Sequence, residues 1–143
     1  MISIRVFHAH PDRSFRSREA VRIARNVLKG EGVESADLNV VFTGDKEMLK
    51  LNGKYLKHRR QTDVISFSLG AGEEVPRVEG EVYVNLDQAK RQKKAYRVTL
   101  TNEVSRLVVH GVLHLSGYED RTRGERKKMT EMENYYLSKL RRE

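Results

Sequence analysis

The chain has 143 residues, one domain's length by the usual prior and enough to bury a core without staples. It contains no cysteine, which excludes disulfides, zinc–thiolate centres and thiol catalysis, so a transition-metal site here must use His, Asp or Glu. Lysine and arginine number 28 against 20 acids, and the resulting net charge of +8 is spread over both halves of the chain. A folded body with that field attracts polyanions, nucleic acid first among them, although a charge-rich surface also serves solubility and heat tolerance. The opening residues lack the apolar core of a signal peptide, and no stretch approaches the roughly 18 consecutive apolar residues of a membrane span. The expectation is a soluble, cytoplasmic protein with no membrane partner.

No repeat, linker or low-complexity segment divides the chain, so residues 1–143 read as a single domain. Ile2, Ile4 and Val6 alternate with other residues as in a half-buried strand. Ser17 is placed to cap a helix with Ala20, Val21, Ala24, Val27 and Leu28 on its apolar face, stopped by Gly30 and Gly32. Leu38 to Phe42 reads as a second strand, and Thr43 or Asp45 then starts a helix through Met48, Leu49, Leu51, Asn52 and Tyr55. Val64 to Leu69 is rich in strand-forming residues, Gly70 to Gly80 reads as an exposed loop, and Glu81 to Asn85 as another short strand. The remainder is helical. One helix covers Leu86 to Arg97; a second starts at Thr99 or Thr101 and runs to Leu115, with Gly117 as its stop. Thr122 and Glu125 have capping-box spacing and open a last helix through Met129, Met132, Tyr136 and Leu140. The order predicts an α+β fold, a small mixed sheet with helices packed on it.

The chemistry concentrates in His110-Gly-Val-Leu-His114-Leu-Ser-Gly117-Tyr-Glu119-Asp120. Histidines at i and i+4 of a helix project from one face, so both imidazoles can reach a single cation. The glycine stop turns the backbone towards that face, and Glu119 and Asp120 then offer a third ligand. A buried histidine is often merely hydrogen-bonded. Two on one face of a largely apolar helix each need a polar partner, however, and a shared divalent metal supplies both. The peptidase pattern His-Glu-x-x-His puts a general base beside the first ligand, and here that position is Gly111. RNA carries its own nucleophile in the 2′-hydroxyl and also suits the charge.

The stretch His110-Gly-x-Leu-His-Leu-x-Gly-Tyr118 resembles the signature of the YbeY family, bacterial metal-dependent endoribonucleases of ribosomal RNA maturation. Leu51-Asn-x-x-Tyr55, Thr62-Asp-Val-Ile-Ser-Phe67 and Gly80-Glu-Val-Tyr-Val84 resemble the family's other blocks in the same order. The resemblance implies one α+β domain with a zinc-type site on its central buried helix. It also implies cleavage of single-stranded RNA in small-subunit rRNA 3′-end maturation and ribosome quality control, so the expected partners are rRNA and the ribosome or small-subunit assembly intermediates. The chain departs from the pattern twice. Asp120 stands where the family has a third histidine, so His110, His114 and Asp120 become the expected ligands of one divalent ion, zinc. Leu56 stands where the family has an active-site arginine, and Arg59 or Arg60 in Lys57-His-Arg-Arg60 is the candidate replacement.

Other candidates carry a plainer reading beside the functional one. Lys57, Arg59, Arg60, Lys90, Arg91, Lys93 and Lys94 are positioned to bind RNA phosphates, yet a charge run on a helix is usually its wet face. His8 and His10 follow the first strand and are expected to lie away from the site. Met129 and Met132 read as core, and Ser66 has no general base beside it. Two rival functions remain: a non-catalytic RNA-binding assembly factor with a structural metal, and another metal-dependent hydrolase such as a peptidase. An open coordination position separates catalysis from structure.

Overall fold

The computed structural model describes residues 1–53, 62–71 and 77–141. Its elements, in chain order, are β1 (Ile2–His8), α1 (Ser17–Gly30), β2 (Ser35–Thr43), α2 (Asp45–Leu51), β3 (Val64–Ala71), β4 (Arg77–Asn85), α3 (Leu86–Tyr96), α4 (Leu100–Leu115) and α5 (Arg123–Leu140). The strands pair in the order β1-β2-β4-β3. β1 and β4 run parallel to β2, and β3 runs antiparallel to β4, so the sheet is mixed as the sequence predicts.

Alternation along the strands decides which face is covered. Ala36, Leu38, Val40 and Phe42 of β2 and Val78, Val82 and Val84 of β4 are buried on one face. Against that face lie α1, through Ala20, Ile23, Ala24, Val27 and Leu28, and α4, through Val104, Val108 and Val112. α5 packs on α4 through Met129, Tyr136 and Leu137. The result is one α+β domain. Among the described residues no helix is long and apolar enough to cross a membrane.

Several local expectations change. Ser17 is the first residue of α1 rather than its cap: Arg16 holds the cap position, and the Ser17 hydroxyl meets His8 Nε2 at 2.9 Å. Ile23 is buried where Val21 is only half-buried, because the core stripe is centred one residue round the helix. The α2 cap is Gly44; the Asp87 carboxylate accepts the Asp45 N–H at 3.0 Å in place of a local side chain. Tyr55, expected in that helix, lies outside the described residues. The expected loop from Gly70 to Gly80 is strand at both its described ends, since β3 continues to Ala71 and β4 begins at Arg77; residues 72–76 lie outside the described residues. Cross-strand pairing, invisible to local composition, extends both strands.

α4 meets the sheet at very short range. A Cβ at Gly111 would lie 2.4 Å from Val82 Cγ1 and 3.2 Å from Val64 Cγ2, and the Ser66 hydroxyl donates to the Gly111 carbonyl at 2.9 Å. Ser66 is therefore a packing residue. Overpacking of this kind costs about 1–3 kcal/mol, against a gain of about 1 kcal/mol in helix propensity for replacing glycine. Gly111→Ala should therefore lower the unfolding free energy by up to about 2 kcal/mol in urea titration. A stabilised variant would show that the contact relaxes freely.

Candidate metal centre

α4 ends by a pair of bonds that a glycine makes easy. Gly117 takes φ +111°, its N–H bonds the His114 carbonyl at 3.1 Å, and the Tyr118 N–H bonds the Leu113 carbonyl at 3.0 Å. This is the Schellman arrangement, and it folds the chain back over the last turn of the helix. Two consequences follow for His114. Its Nδ1–H donates to the Tyr118 carbonyl at 2.9 Å, and the Asp120 carboxylate is brought to 3.3 Å from its Nε2.

His110 is held from the other side. The buried Glu133 of α5 accepts from His110 Nδ1 at 2.6 Å through Oε2, while its Oε1 accepts from Arg106 at 2.9 Å. Both imidazoles thus place their N–H on Nδ1, because a carbonyl and a carboxylate are acceptors. In the neutral imidazole the lone pair is then on Nε2, and each Nε2 faces Asp120 Oδ2, which lies 3.4 Å from His110 Nε2 and 3.3 Å from that of His114. Four ligands at tetrahedral angles and about 2.0–2.1 Å from an ion stand about 3.3–3.4 Å apart. The spacing and the donor set therefore fit a divalent cation. His110, His114 and Asp120 form a group that could hold a metal ion, each half-exposed and so accessible from solvent.

The surrounding field agrees in sign. Burial opposes a charge on His110, but the bond to Glu133 and the negative charges of Glu133, Asp63 and Asp120 outweigh it and raise its pKa above the ordinary histidine value. The site favours positive charge.

Other singled-out residues lie elsewhere. Glu119 is exposed and comes only to 3.9 Å from Arg121. His8 stacks on Phe42 with ring centroids 5.5 Å apart, and His10 bonds Asp87 at 2.9 Å. On α3, Lys90 is paired with Asp12 at 2.7 Å and Arg91 with Asp45 at 2.7 Å, so half of that basic run is committed to acids of the protein itself. Lys93 and Lys94 have no ion-pair partner among the described residues. Lys57, Arg59, Arg60 and the Leu56 departure lie outside the described residues. Met129 is core, and Met132 packs against it.

Sequence reading missed Glu133, Arg106 and Asp63. A signal for the first was present: Glu133 falls at i+4 from Met129 on the stripe that α5 buries, where an acid needs a partner.

The fold and this cluster define an α+β protein with two imidazoles and a carboxylate converging at the end of its central helix. Residues 8–141 match the model of the family described as endoribonuclease YbeY. Proteins named endoribonuclease YbeY include one from Aquifex aeolicus, 39% identical over 90% of this chain and 86% of that protein. Another, from Chloroherpeton thalassium, is 37% identical over 86% of this chain and 83% of that protein. The solution structure of TM1509 from Thermotoga maritima superposes with a TM-score of 0.67 at 26% identity, covering 94% of this chain and 87% of that one. The chain belongs to the YbeY endoribonuclease family.

The bonds around Glu133 and the paired acids each have a measurable consequence. Glu133→Ala leaves His110 Nδ1–H and the Arg106 guanidinium without their buried acceptor, and should cost about 2–3 kcal/mol in chemical denaturation; Glu133→Gln, which keeps one acceptor, should cost about half of that. The paired acids govern the response to low pH. Lys90 holds the Asp12 carboxyl, Arg91 the Asp45 carboxyl, and the Asp45 N–H with His10 the Asp87 carboxyl, below the ordinary value of 3.8. Groups depressed in the folded state stabilise it above their unfolded value and lose that contribution as pH falls through the folded one. Thermal midpoints should therefore decline below about pH 4, and less steeply in Asp45→Asn.

Proposed function

We propose that this protein is a metal-dependent endoribonuclease that cuts single-stranded RNA at the His110–His114–Asp120 group. Its task is small-subunit rRNA 3′-end maturation and ribosome quality control in the cytoplasm, acting on the ribosome or its small-subunit assembly intermediates. The observation that carries the reading is the convergence of three lone-pair donors, with both histidine tautomers set from behind, in a chain whose relatives are named endoribonuclease. A basic body that attracts RNA supports it.

The ion we assign is zinc, held by His110 Nε2, His114 Nε2 and an Asp120 oxygen. When bound it would supply Lewis acidity to a phosphoryl oxygen or to the attacking group. The protein's own part is to fix the donors. Glu133 and the Tyr118 carbonyl keep the Nδ1 protons in place, which holds both rings in the ligating tautomer and orientation. With three protein donors a position remains for substrate, which favours catalysis over a purely structural ion. The peptidase alternative is disfavoured sterically as well as by sequence, because no side chain fits at 111 without displacing Val82.

His110→Ala and His114→Ala should each abolish RNA cleavage and reduce zinc per purified chain to background, with the circular dichroism spectrum unchanged. Retention of a full metal equivalent with full cleavage by either variant would refute the ligand assignment. Loss of the fold together with the metal would support the structural-ion alternative. Asp120 separates this chain from a three-histidine site. A carboxylate oxygen is harder than an imidazole nitrogen, so it widens tolerance towards manganese and magnesium. Competition dialysis of Asp120→His should show a shift in occupancy towards zinc over manganese. Asp120→Ala should weaken metal binding by more than the roughly 10–100-fold that loss of a group behind a ligand costs, and Glu119→Ala should leave it unchanged.

A further inference from the structure

The turn that delivers Asp120 is followed at once by a run of cations: Arg121, Arg123, Arg126, Lys127 and Lys128. All five are exposed. The single acid among them, Glu125, turns its carboxylate to the backbone, accepting the Thr122 N–H at 2.9 Å and the Arg121 N–H at 3.2 Å in the capping box of α5. Arg121 has only the distant contact with Glu119, and among the described residues Arg123, Arg126 and Lys127 have no ion pair. Glu131, one turn beyond Lys127, is exposed and pairs with none of them. This is the reverse of α3, where Asp12 and Asp45 take up Lys90 and Arg91.

Helical spacing fixes which way these cations lie. Arg123, Arg126 and Lys127 stand at i, i+3 and i+4, on one stripe of α5 that continues through Thr130 to Glu133 and Asn134. Those last two residues touch the site helix: Glu133 holds His110, and Asn134 accepts from Arg106 at 2.8 Å. Lys127 is therefore only about 9 Å along the axis from the residue that positions a histidine of the cluster. Arg126 is also tied down, donating to the Arg121 carbonyl at 2.8 Å, one residue from Asp120. Lys128 falls on the other side of the helix and is left out.

We propose that Arg121, Arg123, Arg126 and Lys127 form the seat for the RNA phosphates that flank the bond cut at the His110–His114–Asp120 group. The proposal rests on the endoribonuclease reading and adds to it a direction, with the strand leaving the metal centre along the first turns of α5 and not along α3. A guanidinium fork held beside the site suits a phosphate, and unpaired cations release more counterions on binding than cations already matched to acids.

The test compares two proteins with the same reduction in charge. One carries Arg121→Gln, Arg123→Gln, Arg126→Gln and Lys127→Gln; the control carries Arg13→Gln, Arg16→Gln, Arg18→Gln and Lys46→Gln, all exposed positions outside this turn. Binding of a labelled 2′-O-methyl RNA single strand is measured by anisotropy across a salt series, alongside metal per chain and cleavage of the matching RNA by the parent protein. The first variant should bind at least tenfold more weakly at about 0.1 M salt, with unchanged metal content. Its salt slope should be shallower by about 0.7 for every phosphate that the protein ceases to neutralise. The control should change by less than about threefold in the same diffuse field. Arg126→Gln alone should weaken binding by about threefold, which secures the reading should the fourfold variant fold poorly. Equal weakening of both fourfold variants, or none in the first, overturns the seat while leaving the nuclease reading intact. Failure of the parent to cleave or bind RNA overturns that reading, and the seat with it.

Discussion

Everything at the centre of this molecule depends on how closely α4 lies against the sheet. At Gly111 the helix backbone approaches until Val82 occupies the space a side chain would take, and the Ser66 hydroxyl bonds the Gly111 carbonyl there. With one face committed to the sheet, the neighbouring residue His110 and its companion one turn on, His114, emerge on the accessible side, still close enough to the core to be positioned rigidly. Glycine at 111 thus serves two ends at once. It allows the packing, and it removes the acidic base that a peptidase would carry at that position.

Two imidazoles on one helix face would be ill-defined without partners behind them. The partners come from opposite directions and at very different sequence separations. The Tyr118 carbonyl is delivered locally, by a helix stop that needs a positive φ at Gly117. The Glu133 carboxylate is delivered by packing, from a helix that returns along α4 after a capped turn. A buried acid between a histidine and an arginine is costly to leave unpaired, and that cost ties the register of α5 on α4 to the geometry of the cluster.

Charge on this protein has two different fates. Arg5 with Asp37, Arg77 with Glu79, Lys90 with Asp12 and Arg91 with Asp45 are matched inside the fold. The cations after Asp120 are not matched in this way, and they lie next to the one cluster among the described residues able to hold a divalent ion. A net charge of +8 therefore says less about where an anion binds than the pairing of the individual side chains does.

The sequence by itself determined the element types, the α+β class and the histidine pair, because these rest on short-range periodicity: alternation in the strands, i,i+4 spacing on α4, and the cap and stop residues at Thr122 and Gly117. It also placed a carboxylate immediately after the stop, leaving Glu119 and Asp120 as rivals of similar chemistry. The family resemblance favoured Asp120, and the tertiary structure supplies the physical reason, since a turn carries successive side chains to different sides and puts Asp120 and not Glu119 within reach of both imidazoles. The tertiary structure alone carried β3 on to Ala71 and started β4 at Arg77, at the two ends of the expected loop, where cross-strand hydrogen bonds outweigh weak local propensity. And it alone revealed Glu133, which belongs to the site through the packing of two helices and has no signature at short range beyond an acid on an apolar stripe.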